Sequence, residues 1–394
     1  MFPDEFIKDL KSKVNIKEVI ETYTNLYPRS GNYAGQCIVH NEHQPSMMVY
    51  PATQTYFCFG CGAGGDVFAL LADKEGWSFP EIVEYLADFA GIDPENIPKS
   101  EAMIEAHNLR QDIARHNRLY YSQLKKNKEA MQYLASRGIT DKDIDTYRLG
   151  YVPRDDNPQT GYSIVFGILD DRGRPSGLAH RMLDPEADRK YRNSEDSPIF
   201  KKSHQLYGLH MVKRRIQEFG YAVLVEGYFD VIALQKIGLP AVGIMGTHIS
   251  DQQVDLIRRY TNTVVLFMDG DGAGIKAIAK SIERLRKKNS LVKVIKARDG
   301  MDPDDMARYM GESLVEHVNE SSYLAGQYLV SEALLRYKST VNEAAEQVYA
   351  ELADVLGHIT NTAERYSYIE QVSNALNVPI DVIVKELNGR VKKE

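Results

Sequence analysis

All three cysteines of this 394-residue chain fall in one short window together with a histidine: Cys37-Ile-Val-His40 and Cys58-Phe-Gly-Cys61. The pattern is C-x2-H-x17-C-x2-C, two tight pairs at the ends of a hairpin-sized insert. Pairs spaced this way can fold four S/N donors onto one tetrahedral ion, and Zn²⁺ favours that donor set. Gly60 and Gly62 help the second pair turn. The alternative is three reduced cysteines used as small buried apolar groups, which leaves the spacing unexplained. Four protein ligands close the shell, so Cys37, His40, Cys58 and Cys61 are expected to hold one structural Zn²⁺ rather than a catalytic one.

Length allows about two to four domains. Charged residues make up 26% and hydrophobic ones 43%, an ordinary globular mixture. No apolar run approaches the roughly 18 residues of a membrane span. The N-terminus, MFPDEFIKDLKSK, lacks a secretory core. Unpaired cysteines without a signal peptide place the chain in a reducing cytoplasm with no membrane partner. The net charge of −7 does not itself point to nucleic acid. Its distribution says more: residues 171–219 carry 11 Lys/Arg against 7 Asp/Glu. A solvated basic face is the competing reading of that stretch.

Asn15-Ile-Lys-Glu18 reads as a capping box ahead of Ile16, Val19, Ile20 and Tyr23 at helical spacing. Val49-Tyr50 and Thr55–Phe57 read as hairpin strands, and helices follow over Val67–Lys74 and from Pro80. The polar, Pro-containing stretch 91–100 reads as a linker, and 101–136 as helical. From about 150 the pattern turns to strands. From 221 onward short apolar strands alternate with helices, which predicts a buried parallel sheet. The tail, 320–394, reads as almost wholly helical.

Ligands of such a sheet bind outside the carboxyl ends of its strands. This chain places Glu226-Gly227 after the first strand, Asp269-Gly-Asp271-Gly-Ala-Gly274 after the third, and Asp302-Pro-Asp304-Asp305 after the fourth. Carboxylates crowded on one rim repel unless cations neutralise them. Hard oxygen donors suit Mg²⁺ or Mn²⁺, and two such ions can hold the attacking and leaving oxygens of a phosphoryl transfer. Asp and Gly as simple loop residues are the competing reading, and the rim alone does not separate nuclease, topoisomerase and polymerase chemistry. Arg181, Lys190, Arg192, Lys201 and Lys202 cluster around Tyr191 and Asn193, a set suited to phosphates and stacked bases. Tyr56, Phe57 and Phe59 beside the cysteines can stack bases or form a small core; Phe57 and Phe59 are expected in the core.

With these residues in hand, the chain resembles bacterial DnaG-type primases from residue 3 to about 315. The zinc-module residues run from Asn32-Tyr33 through Cys37-Ile-Val-His40-Asn-Glu42-His-Gln-Pro45-Ser46 to Tyr56-Phe-Cys58-Phe59-Gly60-Cys61-Gly62 and Gly65-Asp66. Lys190–Ser194 and Leu206–Leu209 are similar to the primase core. Glu226-Gly-Tyr-Phe-Asp230-Val231, Asp269–Gly274 and Asp302–Asp304 are similar to a TOPRIM domain. The resemblance implies a multidomain α+β chain with α/β: a zinc-ribbon template-binding domain (1–98), the N-terminal part of a primase core (99–215), a TOPRIM catalytic domain with a parallel sheet (216–315), and a C-terminal helical bundle (316–394).

It implies synthesis of short RNA primers from NTPs on single-stranded DNA, passing through an RNA/DNA hybrid, in a bacterial or phage-infected cytoplasm. A replicative helicase is the implied partner. Glu226 would be metal ligand or general base, and Asp269, Asp271, Asp302 and Asp304 would hold two catalytic Mg²⁺ or Mn²⁺ ions. Arg148, Arg181, Lys190 and Asn193, with Lys201 and Lys202, would contact template and nucleotide phosphates. The sequence departs from the family at Ala179-His180, where glycines are common and a side chain narrows the nucleotide approach or changes its selectivity, and at Ser203, where glycine is usual. The family's helicase-binding C-terminal domain is expected to be absent, which fits a phage, mobile-element or truncated bacterial form. Another TOPRIM enzyme, or a non-catalytic single-strand-binding accessory, are the alternatives.

Overall fold

The structure, a computed structural model, describes residues 2–40, 42, 44–93, 97–98, 101–154, 156–157, 159–268, 272–298, 300–339, 352–353, 356 and 362–391, without the side chains of 102, 272–277, 336–339 and 386–391. The chain packs into two units: residues 1–220 with 250–262, and residues 221–249 with 263–394.

The first unit opens with α1 (Asp4–Lys13) and α2 (Ile16–Glu21). The Asn15 side chain caps α2 by accepting the Lys17 amide at 3.0 Å. Five antiparallel strands follow in sequential order: β1 (Leu26–Arg29), β2 (Asn32–Gly35), β3 (Met47–Tyr50), β4 (Thr55–Cys58) and β5 (Gly64–Gly65). Asp66 then caps α3 (Val67–Glu75), accepting the Phe68 and Ala69 amides at 3.0 and 3.1 Å. Glu81 reaches back to the Ser78 amide at 2.9 Å to start α4 (Phe79–Phe89). Strand alternation sends Met47, Val49, Tyr56 and Cys58 inward, where they share a core with Ile16, Ile20, Leu70, Leu71, Ile82 and Leu86.

Next come α5 (Glu101–Lys126), α6 (Lys128–Ser136) and α7 (Asp141–Thr146), then a four-stranded antiparallel sheet of β6 (Leu149–Val152), β7 (Ser163–Leu169), β8 (Pro175–Met182) and β9 (Tyr191–Asn193). Every residue of β7 is buried because both faces are covered. Val152, Val165 and Leu178 pack on Ile113 and Tyr120 of α5. Phe166 meets Tyr207 edge-on at 6.4 Å between ring centres. Helix α8 (Leu209–Phe219) and the later helix Asp251–Arg258 complete this unit.

In the second unit β10 (Ala222–Val225), β11 (Ala241–Gly243), β12 (Thr263–Leu266) and β13 (Leu291–Val294) form a parallel sheet in the order β11-β10-β12-β13. All of β10 is buried, which explains why its sequence is apolar rather than alternating. Helices Tyr228–Lys236, Gly272–Lys287, Pro303–Met310 and Ser313–Ser321 belong to the same unit. A two-residue edge strand, β14 (Tyr323–Leu324), pairs antiparallel with β13 inside the tail that reads as almost wholly helical. Its residues are exposed and too few to carry a period. Helices Ala325–Ser339, Thr362–Leu376 and Ile380–Val391 share a small core of Val330, Leu334, Tyr368, Ile369, Val372 and Ile383. Among the described residues no helix is long and apolar enough to cross a membrane.

Candidate functional site

The cysteine window folds as its spacing requires. The ligand atoms of Cys37, His40, Cys58 and Cys61 all lie within 4.8 Å of one another, the one set of three or more metal-ligating side chains so arranged among the described residues. Cys58 Sγ is 3.7 Å from His40 Nδ1, and the Cys37 and Cys61 sulfurs are 4.0 Å apart. Tetrahedral zinc places S and N ligands about 3.6 Å apart and two sulfurs about 3.8 Å apart. The donor set and its dimensions therefore fit one Zn²⁺. Burial pushes the Cys37 thiol up to about 12. Burial opposes ionisation of Cys58 too, but its polar neighbours, the Cys61 and Gly60 amides among them, outweigh it and bring that thiol down. Gly60 is required by space: a Cβ there would lie 2.7 Å from Ser46 Oγ and 2.9 Å from His40 Nε2. Gly62 is required by conformation, with φ of +77°.

The aromatic expectation is corrected. Tyr56 is in the core, but Phe57 is 40% and Phe59 70% exposed, ring centres 5.0 Å apart and edge to face. The reason is alternation: Tyr56 and Cys58 point inward, so Phe57 between them points out, and Phe59 lies in the turn beyond the strand. Register aligns Phe57 with Met48, Ala34 and Tyr27 on the same outer face. Tyr27 is 60% exposed.

In the sheet β6–β9, Arg181 pairs in register with Tyr191, and Ala179 with Asn193, so these four share one face. The Arg181 guanidinium lies 5.2 Å from the Tyr191 ring centre, and its Nε donates to Tyr133 at 3.4 Å. Lys190 is exposed just ahead of β9. Arg148 is exposed just ahead of β6 in the left-handed region, φ +52°, and its carbonyl accepts from Asn117 at 2.8 Å. Lys201 and Lys202 are exposed at a short 3-10 turn. His180, the departure beside Arg181, faces the other way. It is buried, 3.2 Å from Ser163 Oγ and edge-on to Tyr120. Only Ala179 adds bulk on the Arg181 face.

In the second unit Glu226 follows β10 and is half-buried. Asp302 caps the helix Pro303–Met310 by accepting the Asp305 amide at 2.7 Å. Asp304 is 2% exposed and lies 3.2 Å from Arg308 Nε; Arg308 also bonds Asp305 at 2.5 Å. Part of the rim's negative charge is thus balanced by an arginine one turn along its own helix. Asp269 and Asp271 lie outside the described residues. Sequence reasoning gave no role to Asp230, which is buried and accepts the Gly227 amide at 3.0 Å and the Asp304 amide at 3.3 Å. It ties the first acidic strand end to the last. Its sequence signal was only its place four residues after Glu226.

Three family models match successive parts of the chain: a CHC2 zinc finger over residues 2–102, the DNA primase catalytic core N-terminal domain over 161–213, and a Toprim-like domain over 223–307. The DNA primase of Aquifex aeolicus is 31% identical over 414 residues, covering 97% of this chain and 80% of that protein. The solved structure of the Aquifex aeolicus primase zinc-binding and RNA polymerase domains superposes with a TM-score of 0.57 at 29% identity, over 96% of this chain and 99% of that one. A DnaG primase catalytic domain bound to single-stranded DNA gives a TM-score of 0.56 at 26% identity, over 69% and 97%.

Proposed function

Because the chain belongs to the DnaG-type family of bacterial DNA primases, we propose that it starts RNA chains on single-stranded DNA from NTPs, with the acidic strand ends of its Toprim-like domain as the catalytic centre. The protein is a DNA-directed RNA polymerase that makes primers. The observation that carries the finer reading is the order of parts in one chain: zinc module, primase core, Toprim-like sheet.

The division of labour follows from the chemistry of each part. We place the boundaries at 1–98, 99–215, 216–315 and 316–394. Glu226, Asp269, Asp271, Asp302 and Asp304 supply hard oxygen donors suited to two Mg²⁺ or Mn²⁺ ions, which when bound neutralise phosphate charge and activate the attacking hydroxyl. Glu226 acts as metal ligand or general base. Arg148, Arg181 and Lys190 bind template and triphosphate oxygens, Asn193 positions them, and Lys201 and Lys202 extend the phosphate contacts. Tyr27, Phe57 and Phe59 on the outer face of the zinc module offer stacking surfaces for template bases. The RNA/DNA hybrid is the product, and a replicative helicase is the partner that delivers template in the cytoplasm.

The test is incorporation of labelled ribonucleotides on a circular single-stranded template with Mg²⁺ or Mn²⁺ and no primer. Oligoribonucleotides are expected. Cleavage of the template without RNA synthesis would replace this reading with a nuclease.

A further inference from the structure

The zinc module contains a carboxylate that the four-ligand description leaves out. Glu42 side-chain atoms contact three different parts of the site. Oε1 accepts the Cys37 amide at 2.6 Å and the Ser46 amide at 3.0 Å. Oε2 accepts the Ser46 hydroxyl at 2.5 Å and lies 3.3 Å from His40 Nε2. Ser46 Oγ is in turn 3.1 Å from Cys58 Sγ. The side chain of Glu42 is only 12% exposed. A buried carboxylate held by three donors offers only acceptor oxygens to its fourth neighbour. An acceptor-only neighbour 3.3 Å away favours the tautomer with the hydrogen on the ring nitrogen nearest to it. That nitrogen is Nε2, which leaves a lone pair on Nδ1, the atom lying 3.7 Å from Cys58 Sγ at ligand-to-ligand distance.

We propose that Glu42 is the positioning residue of the zinc site: it fixes His40 in the tautomer that presents Nδ1 to the metal. Outer carboxylates on metal-bound histidines act this way in general. Glutamine at 42 could keep the two amide contacts through its oxygen. Its NH2 would then face Nε2 and favour the opposite tautomer, with the hydrogen on Nδ1, where the metal must bind.

The inference rests on the zinc reading, and the experiment separates the two. Zinc affinity of the full chain is measured by competition with a chromophoric chelator for wild type, Glu42→Gln, His40→Cys and the double variant. Glu42→Gln is expected to weaken binding about tenfold to a hundredfold in the wild-type background. With cysteine at 40 there is no tautomer to fix, so the same change should cost less than about threefold, the small remainder that the amide contacts would carry. Equal losses in both backgrounds would make Glu42 a general loop brace and overturn the proposal, as would no loss in either. A wild-type chain that binds no zinc would instead overturn the zinc reading itself. A second readout needs no variant at 42: ¹⁵N-histidine spectra of the zinc-loaded wild type, with His40→Cys to assign the signal. Metal-bound Nδ1 and protonated Nε2 are expected; coordination through Nε2 contradicts the proposal.

Discussion

His180 shows how a single residue can mislead when read by position. As a departure from glycine beside Arg181 it predicts a narrowed nucleotide approach. Strand alternation instead turns it under α5, against Ser163 and Tyr120. Burial there pushes its imidazole down to about 4, against about 6.5 in an unfolded chain. The folded state therefore binds the proton less readily than the unfolded one. The stability His180 contributes as a neutral ring is complete above pH 6.5 and is lost progressively as pH falls towards 4. The loss is on the order of 3 kcal/mol at most. Denaturant midpoints measured from pH 7 to pH 4 should fall, and His180→Gln should flatten part of that slope; an unchanged slope in the variant contradicts the assignment. The zinc ligands were legible for the opposite reason: their spacing is itself the geometry. Glu42 was not, because its contacts exist only once the loop folds back on Cys37.

At the scale of elements, the parallel sheet was readable because burial on both faces gives uniform apolar strands with helical intervals. The β1–β2 hairpin was not anticipated: Leu26-Tyr-Pro-Arg29 is half-exposed to exposed and contains proline, so it carries no alternation. The sequence alone does not place the aromatic face of the ribbon, because Tyr56 and Phe57 put aromatics on both sides of the strand and leave its phase open. That face now makes a prediction. Phe57→Ala and Phe59→Ala should each weaken single-stranded DNA binding by about fivefold or more, the scale of one lost base stack, and leave zinc content unchanged. Undiminished binding would return both rings to a packing role.

A second element-level device joins the α3–α4 corner to the β7–β8 turn within the first unit. Arg174 bonds Glu81 and reaches Asp170 at 2.9 Å, while Arg172 lies 4.1 Å from the Trp77 ring centre. Burial alone would raise the Glu81 carboxyl, but Arg174 and the Ser78 amide hold it below the ordinary carboxylate range. A double-mutant cycle of Arg174→Ala and Glu81→Ala should return a coupling of about 1–2 kcal/mol. A coupling near zero would make the contact incidental.

For the whole molecule, the net charge of −7 coexists with a stretch, 171–219, carrying 11 Lys/Arg against 7 Asp/Glu. Template affinity must then come from a local basic surface, not from bulk attraction. Each phosphate contact on a single strand adds about 0.7 to the slope of log affinity against log salt. Replacing Lys201 and Lys202 by alanine should make that slope shallower by about 1.4 if both touch phosphate; an unchanged slope removes them from the interface.

Nucleotide joining at the strand ends of the Toprim-like domain, as proposed above, would require divalent ions held among its carboxylates. Manganese anomalous scattering from crystals soaked to saturation tests it most directly. Peaks coordinated by Glu226, Asp269 and Asp271 are expected, lost in Asp269→Ala together with primer synthesis. Saturated crystals with no manganese at those carboxylates, from protein that still makes primers, would contradict it.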